Sequence, residues 1–437
     1  MQPPSNLLAT LAILGVLGLA WAVHARGEPA CPPGDACLRY MAWGNPEQIK
    51  TEEDLIGRFN AENPKIHVSL MTVPSSSYQQ KVTLMLATGT APDVMRVDHY
   101  YFPKLVEDDY FTDLTPYAQG DPTFKESDFW PTAIAEGTYK GKLYGLNVLF
   151  GGEVTYYNKS LFKAAGLTDP WVLAQRGEWT WETFRKDAIA LTKFGPDGEP
   201  LTFGELTPGM PTLTAIVRGF GADWVNANHT KSTLDDPRAA KAMQFIADLV
   251  WKDHAAPTPA QGANNAFAFE TGKVGMYFDW MGMTPRFRNL VHDFEWDVCT
   301  MPTDTRGDNF IVKGNQLVVS TTCPHKDAAW QFLKFMTGPE AEGHLAGDLR
   351  RTFPSRISVA EGPKFLTCTK PPYQIAAFVD CVKEGRILPI DDRWNEWTQE
   401  FTSGIDNLMG GREHDARAAL LKVKAKVDQT LSEPPGF

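Results

Sequence analysis

The stretch Leu84-Met85-Leu86-Ala87-Thr88-Gly89-Thr90-Ala91-Pro92-Asp93-Val94 constrains the fold more than any other part of the chain. It reads as a helix that ends at a glycine, a tight turn, and a strand that begins at Pro-Asp. Gly89 suits the left-handed position that closes a helix, and Pro92 keeps the helix from resuming. The strand Asp93-Val94-Met95-Arg96-Val97-Asp98 then runs into Asp98-His99-Tyr100-Tyr101-Phe102. In an open α/β sheet, ligands bind beyond the carboxyl ends of the strands. The segment therefore carries polar groups and flat rings to the place where a ligand would sit.

The residues around it follow one grammar. Positions 38–43 alternate as a strand. A helix is expected from about Thr51, with Thr51 as its cap and Leu55 and Phe59 on one face. Asn63-Pro64 stops it, and Ile66, Val68 and Leu70 alternate as the next strand. A second helix over 78–88 leads into the Pro-Asp strand. Strand, helix, strand, helix, strand is the pattern of a doubly wound lobe. At 437 residues the chain exceeds one typical core, so two lobes are expected. Farther on, helices are expected over 239–251, 394–408 and 416–431, and strands over 274–278 and 311–320.

Composition narrows the function. A formal net charge of -11 argues against nucleic acid or an anionic membrane surface as the main partner. No nucleophile elbow, zincin helix, phosphate loop or dinucleotide fingerprint occurs, so an enzyme is not expected. The adjacent acids Asp391-Asp392 point differently along the chain and leave a secreted glycoside hydrolase as a distant alternative. Six cysteines suit an oxidising compartment, and neither a metal site nor a cofactor is expected because none has C-x-x-C spacing. Cys31 with Cys37 and Cys368 with Cys381 are the pairs placed to be bridged. The apolar run 7–23 marks residues 1–25 as a signal peptide or membrane anchor, followed by a linker over 26–37, so the protein is expected to be exported.

The turn Ala87-Thr88-Gly89-Thr90-Ala91-Pro92-Asp93-Val94, with Asp113-Leu114-Thr115-Pro116-Tyr117 after it, resembles the extracellular solute-binding proteins of ABC importers. The sugar-binding group that includes maltose-binding protein is the nearest in pattern. Further matches keep the family's order, among them Gly141-Lys142-Leu143-Tyr144-Gly145, Thr155-Tyr156-Tyr157-Asn158-Lys159, Trp179-Thr180-Trp181 and Phe269-Glu270-Thr271-Gly272-Lys273. The resemblance implies an α/β, two-lobed periplasmic-binding-protein fold of type II, each lobe a sheet flanked by helices, with a ligand cleft between. Lobe 1 would take residues 38–150 plus 311–357, and lobe 2 residues 151–310 plus 358–437. The implied role is capture of a mono- or oligosaccharide by lobe closure, as a monomer, for delivery to a membrane ABC permease. Glycerol-3-phosphate or another non-sugar solute is the alternative cargo.

A sugar offers apolar C–H faces and a rim of hydroxyls, so its site needs flat rings and directional polar groups. Trp43 and Asn45 follow the first strand, and Tyr78 opens the second helix. Asp98 and Tyr100 occupy the family's binding loop after the third strand. Glu153 follows two glycines at an expected crossing between lobes. Trp224, Asp279, Trp280, Asn315, Arg356 and Trp394 complete the candidate set, with Trp397 three residues beyond Trp394. Several have a competing role: core packing for the tryptophans, a turn cap for Asp98, a surface ion pair for Glu153, and a solvated side chain or a lobe–lobe salt bridge for Arg356. Arg96 and Arg356 are the only cations near these positions, which favours a neutral sugar over a phosphate.

Overall fold

The computed structural model describes residues 31–205, 209–263, 265–303 and 310–433. The apolar N-terminal run lies outside them. Among the described residues no helix is long and apolar enough to cross a membrane.

Thirteen strands follow in chain order among the described residues. They are β1 (Ala36–Ala42), β2 (Ile66–Thr72), β3 (Val94–Asp98), β4 (Thr138–Tyr139), β5 (Lys142–Leu143), β6 (Gly145–Gly152) and β7 (Val154–Asn158). After them come β8 (Lys193–Phe194), β9 (Pro200–Glu205), β10 (Val274–Asp279), β11 (Trp296–Cys299), β12 (Ile311–Val319) and β13 (Arg386–Ile387). One sheet runs β13-β12-β3-β1-β2, with β6 also paired to β12. A second runs β11-β7-β10-β9-β8, and β4 with β5 forms a small two-stranded sheet. The two larger sheets, flanked by helices, make the α/β architecture expected from the sequence.

In the first sheet β1 is parallel to both β2 and β3. Alternation along β1 places Leu38, Tyr40 and Ala42 in one apolar cluster and Met41 in another. Both faces of this sheet are therefore covered, as a doubly wound sheet requires. The turn after the helix Ser75–Ala87 forms as its sequence dictates: Gly89 adopts φ 66° and the Thr90 amide donates to the Met85 carbonyl at 2.9 Å.

The first helix differs from expectation. It runs Pro46–Glu62 and is capped by Asn45, which accepts from the Gln48 amide while the Gln48 side chain returns to the Asn45 amide. Thr51 lies inside this helix, its hydroxyl donating to the Glu47 carbonyl at 3.0 Å. Asn-Pro is the stronger start signal because proline fits the first helical turn and asparagine satisfies a free amide.

The two sheets are joined where β6 ends at Gly152 and β7 starts at Val154, with Glu153 the single residue between them. β12 is the long return strand, antiparallel to β3 and β6. Gly314 in β12 is obligatory at that approach: a Cβ there would lie 2.0 Å from Asn147 Oδ1 and 2.6 Å from the Leu149 carbonyl oxygen. Cys31 and Cys37 are bridged, whereas Cys368 and Cys381 carry free thiols. The second pairing fails because Cys381 faces the buried side of its helix, against Gly152, while Cys368 bonds to Lys370 and Arg288 at the surface.

Candidate functional site

The carboxyl ends of β1, β3 and β10 converge on a cavity of about 240 Å³ between the two sheets. Trp43, Asp98, Trp280, Lys313, Asn315 and Arg351 are among the side chains that line it. Four of these, Trp43, Asp98, Trp280 and Asn315, are candidates from the sequence. Strand ends do this naturally, because the last residue of each parallel strand leaves the sheet on the same side.

Trp43 is propped from behind. Tyr78 packs on it with ring centroids 4.4 Å apart, and the Tyr78 hydroxyl donates to the Met41 carbonyl at 2.8 Å. At 3% exposure Tyr78 is a buried support and not a contact surface. Arg96, counted from the sequence among the cations near the candidate positions, is buried beneath the indole. Its Nη2 donates to the Trp43 carbonyl, and its Nη1 donates to Glu52 Oε1 at 2.9 Å. Arg351 Nη2 lies 3.3 Å from the same Glu52 oxygen, and the Tyr40 hydroxyl donates to Glu52 Oε2 at 3.3 Å. Asn45 is committed to its helix cap, so its oxygen is not presented to the cavity.

Asp98 and Asn315 face each other across the β3–β12 ladder, with Asn315 Nδ2 donating to Asp98 Oδ2 at 3.2 Å. Burial pushes the Asp98 carboxyl up, but His99, Lys313 and the Tyr100 amide outweigh it and hold the group at about 2. Asp98 is thus favoured as an ionised acceptor. Burial lowers His99, whose Nδ1 is 3.0 Å from Asp98 Oδ1.

Trp280 follows β10, and its amide donates to Asp279 Oδ1 at 2.7 Å. Asp279 also accepts from the Tyr277 hydroxyl, and burial raises its carboxyl. It shapes the Trp280 turn from behind the cavity wall. Lys313, on β12, has its ammonium 4.5 Å from the Trp280 ring centroid and 5.5 Å from that of Tyr100. Sequence reasoning missed Lys313, although a lysine interrupting the apolar run of β12 was a signal. It also missed Arg351, which reads as an ordinary loop residue until the fold brings it beside Glu52.

Glu153 lies at the passage between sheets, 2% exposed. Its Oε1 accepts from the Thr212 hydroxyl at 2.6 Å, its Oε2 has no partner among the described residues, and burial pushes it up to about 7. It is a buried group at the junction of β6 and β7 and not the surface ion pair that glutamates usually form.

Besides Asn45, Tyr78, Glu153 and Asp279, four candidates do not line the cavity. Trp224 is a core residue at 0% exposure, its Nε1 donating to the Thr214 hydroxyl at 2.8 Å and its ring 4.6 Å from that of Phe401. Arg356 is tied down by the Thr337 carbonyl at 2.6 Å and Asp128 at 3.0 Å. Trp394 stacks on a fourth candidate, Tyr100, with centroids 5.7 Å apart and planes 8° from parallel. Trp397 packs edge-on against Trp394 at 4.8 Å.

A wider groove of about 790 Å³ runs beside Arg386–Ile387 and the loop before helix Pro237–Trp251. Several of its charged groups are paired, Arg218 with Asp223, Arg238 with Asp236, and His229 with Asp391, while Arg386 on its wall is exposed. The smaller cavity, with indoles and an ionised acceptor turned into it, is the better place for a ligand. Among the described residues, no group of three or more His, Cys, Asp or Glu side chains is placed to hold a metal ion.

The sequence model of the family described as bacterial extracellular solute-binding protein matches residues 43–343. The chain belongs to that family. A putative binding protein of Brucella abortus (strain 2308) is 24% identical, with 98% of each chain covered. The arabinooligosaccharide-binding protein of Bacillus subtilis (strain 168) is 23% identical over 76% of each chain. Among solved structures, the ABC substrate-binding protein of Listeria monocytogenes in complex with cycloalternan superposes with a TM-score of 0.80 at 23% identity, covering 92% of this chain and all of that one. At that identity the likeness establishes the fold. As a member of this family the chain is a solute-binding protein.

Proposed function

We propose that this solute-binding protein is the capture component of an ABC importer and that its cargo is a carbohydrate, handed to a membrane permease by the closed form. The observation that carries the reading is the pairing of two indoles, Trp43 and Trp280, with the acceptor Asp98 and the amide Asn315 in one cavity. Rings take the C–H faces of a sugar, and the ionised carboxylate and amide take its hydroxyls. The names of the arabinooligosaccharide-binding relative and of the cycloalternan complex support the same class.

In this reading the lobes divide as residues 38–150 plus 311–357 and residues 151–310 plus 358–437. Ligand binds one lobe first, and closure brings the wall of the other lobe against it. Closure follows because a ligand between lobes touches the closed state more extensively than the open one. Residues 1–25 direct export, and the protein acts as a monomer without cofactor or chemistry of its own.

The test is a thermal-shift screen against mono-, di- and trisaccharides, polyols, glycerol-3-phosphate and polyamines. A ligand of the folded state raises the melting temperature by mass action. A saturable rise with a saccharide, lost in Trp280→Ala, supports the reading. A rise with glycerol-3-phosphate alone keeps the transport role and overturns the carbohydrate cargo.

A further inference from the structure

Lys313 is the one charged residue in β12, a strand otherwise made of Ile, Val, Leu, Gly, Asn and Gln. Its cross-strand partner on β6 is Gly151, so no side chain stands beside its stem on that flank. The stem reaches the cavity, which Lys313 lines. There the ammonium lies over the Trp280 ring, 4.5 Å from its centroid, and 5.5 Å from the centroid of Tyr100. Among the described residues it makes neither a hydrogen bond nor a salt bridge, and the rings are its near neighbours. Carboxyls act on it from farther away. Burial raises Asp98, Glu136, Glu153 and Asp279, and the Lys313 charge opposes that rise in each.

Trp280 is also the ring on which the carbohydrate reading places a sugar face. It packs against the larger hydrophobic core and lines the cavity together with Lys313. The ammonium therefore covers the indole from the cavity side. A sugar ring in contact with the indole would lie about 3.5–4 Å above it, within the layer that the ammonium occupies. With the lysine in place the cavity holds about 240 Å³, below the roughly 300–1,000 Å³ usual for a ligand pocket. One side chain thus covers the stacking surface and takes up room beside it.

We infer that Lys313 is a resident competitor for the Trp280 face, one that the cargo displaces and that sets how tightly the cargo is held. The inference rests on the carbohydrate reading and adds the residue that limits affinity in that site. Because rings and not a salt bridge hold the ammonium, displacing it forfeits little more than the cation–π contact, equivalent to about 3- to 30-fold in affinity. The ammonium returns to the ring as the cargo leaves, so that loss is recovered at release.

The experiment is calorimetric titration of the intact chain at neutral pH with the mono-, di- or trisaccharide that most raises the wild-type melting temperature. The wild type, Lys313→Ala and Lys313→Arg are compared, alone and combined with Trp280→Ala, each with its melting temperature as a check of folding. Lys313→Ala should bind about 3- to 30-fold more tightly than the wild type. Lys313→Arg should bind more weakly than the wild type, because a planar guanidinium stacks better on an indole. In the Trp280→Ala background the gain from Lys313→Ala should fall below about twofold, since there is no ring to compete for. Equal or weaker binding by a folded Lys313→Ala protein overturns the competitor and leaves the carbohydrate reading standing. A gain that persists undiminished in the Trp280→Ala background overturns it as well. If that background does not fold, the order of the three single proteins decides. Failure of every saccharide to bind the wild type overturns the carbohydrate reading, and the competitor with it.

Discussion

The guanidinium carbon of Arg96 lies 4.0 Å from the centroid of the Trp43 indole. One face of the ring is thus covered by a cation that Glu52 holds in place. Glu52 also anchors Arg351 and Tyr40, so it is the hub of the network behind Trp43. Glu52 and Arg96 are each 1% exposed. A buried pair of this kind adds little against an apolar core but is costly to break from one side.

Glu52→Ala should therefore destabilise the protein by about 3–5 kcal/mol, because two guanidiniums lose their counter-charge. The measurement is urea unfolding, read as a lower midpoint at unchanged slope. A loss under about 1 kcal/mol would show that the network does not support Trp43.

Trp280→Ala and Trp224→Ala should fail in opposite ways. Trp280 lines the cavity and is only partly buried, so its removal should weaken cargo binding about 10- to 100-fold with little change in stability. Trp224 is fully buried, so its removal should cost about 3–5 kcal/mol of stability while the folded fraction keeps its affinity. Titration and denaturant melts of the two variants check this. Equal losses of affinity would reject the separation of site from core.

Glu153 gives the protein a pH dependence of known sign. Its carboxyl is raised by burial from 4.5 to about 7, so the native state keeps a proton that the unfolded state releases. The resulting stability is complete below 4.5 and is lost as pH rises through about 7. Glu342 is raised by burial to about 7 too, so the two act in the same direction. Between about pH 5 and 8 the wild type should lose about 1–3 kcal/mol more than Glu153→Gln. Parallel stability curves for the two proteins would exclude the Glu153 carboxyl as the source.

Lys313→Met should leave Asp98 easier to protonate. Burial drives Asp98 up, while His99 and then Lys313 bring it down to about 2. Removing one opposing charge raises it, so cargo affinity in the variant should begin to fall at a higher pH than in the wild type. Affinity measured down to about pH 4 tests this. Identical acid limbs would place Asp98 outside the binding event.

Local chemistry made much of the architecture legible. Gly89 ends its helix and Pro92 forbids its return, so that helix–turn–strand unit forms from its own residues. Apolar alternation gave β1, β2 and β12 to within two residues, and the end of β3 delivered Asp98 to the cavity. The start of the first helix was misjudged because two capping residues competed, and Asn45 with Pro46 fits the first turn better than Thr51.

The sequence alone determined the periodicities, the turns and the positions where strands end, because these depend on residues a few places apart. Only the tertiary structure decided which tryptophans see the cleft. Trp43 and Trp280 follow strands and remain on the cavity wall. Trp224 and Trp394 look alike in sequence but are covered by Phe401 and Tyr100, residues far away along the chain. The exposure of a flat ring depends on what the rest of the chain packs against it, and local pattern carries no record of that.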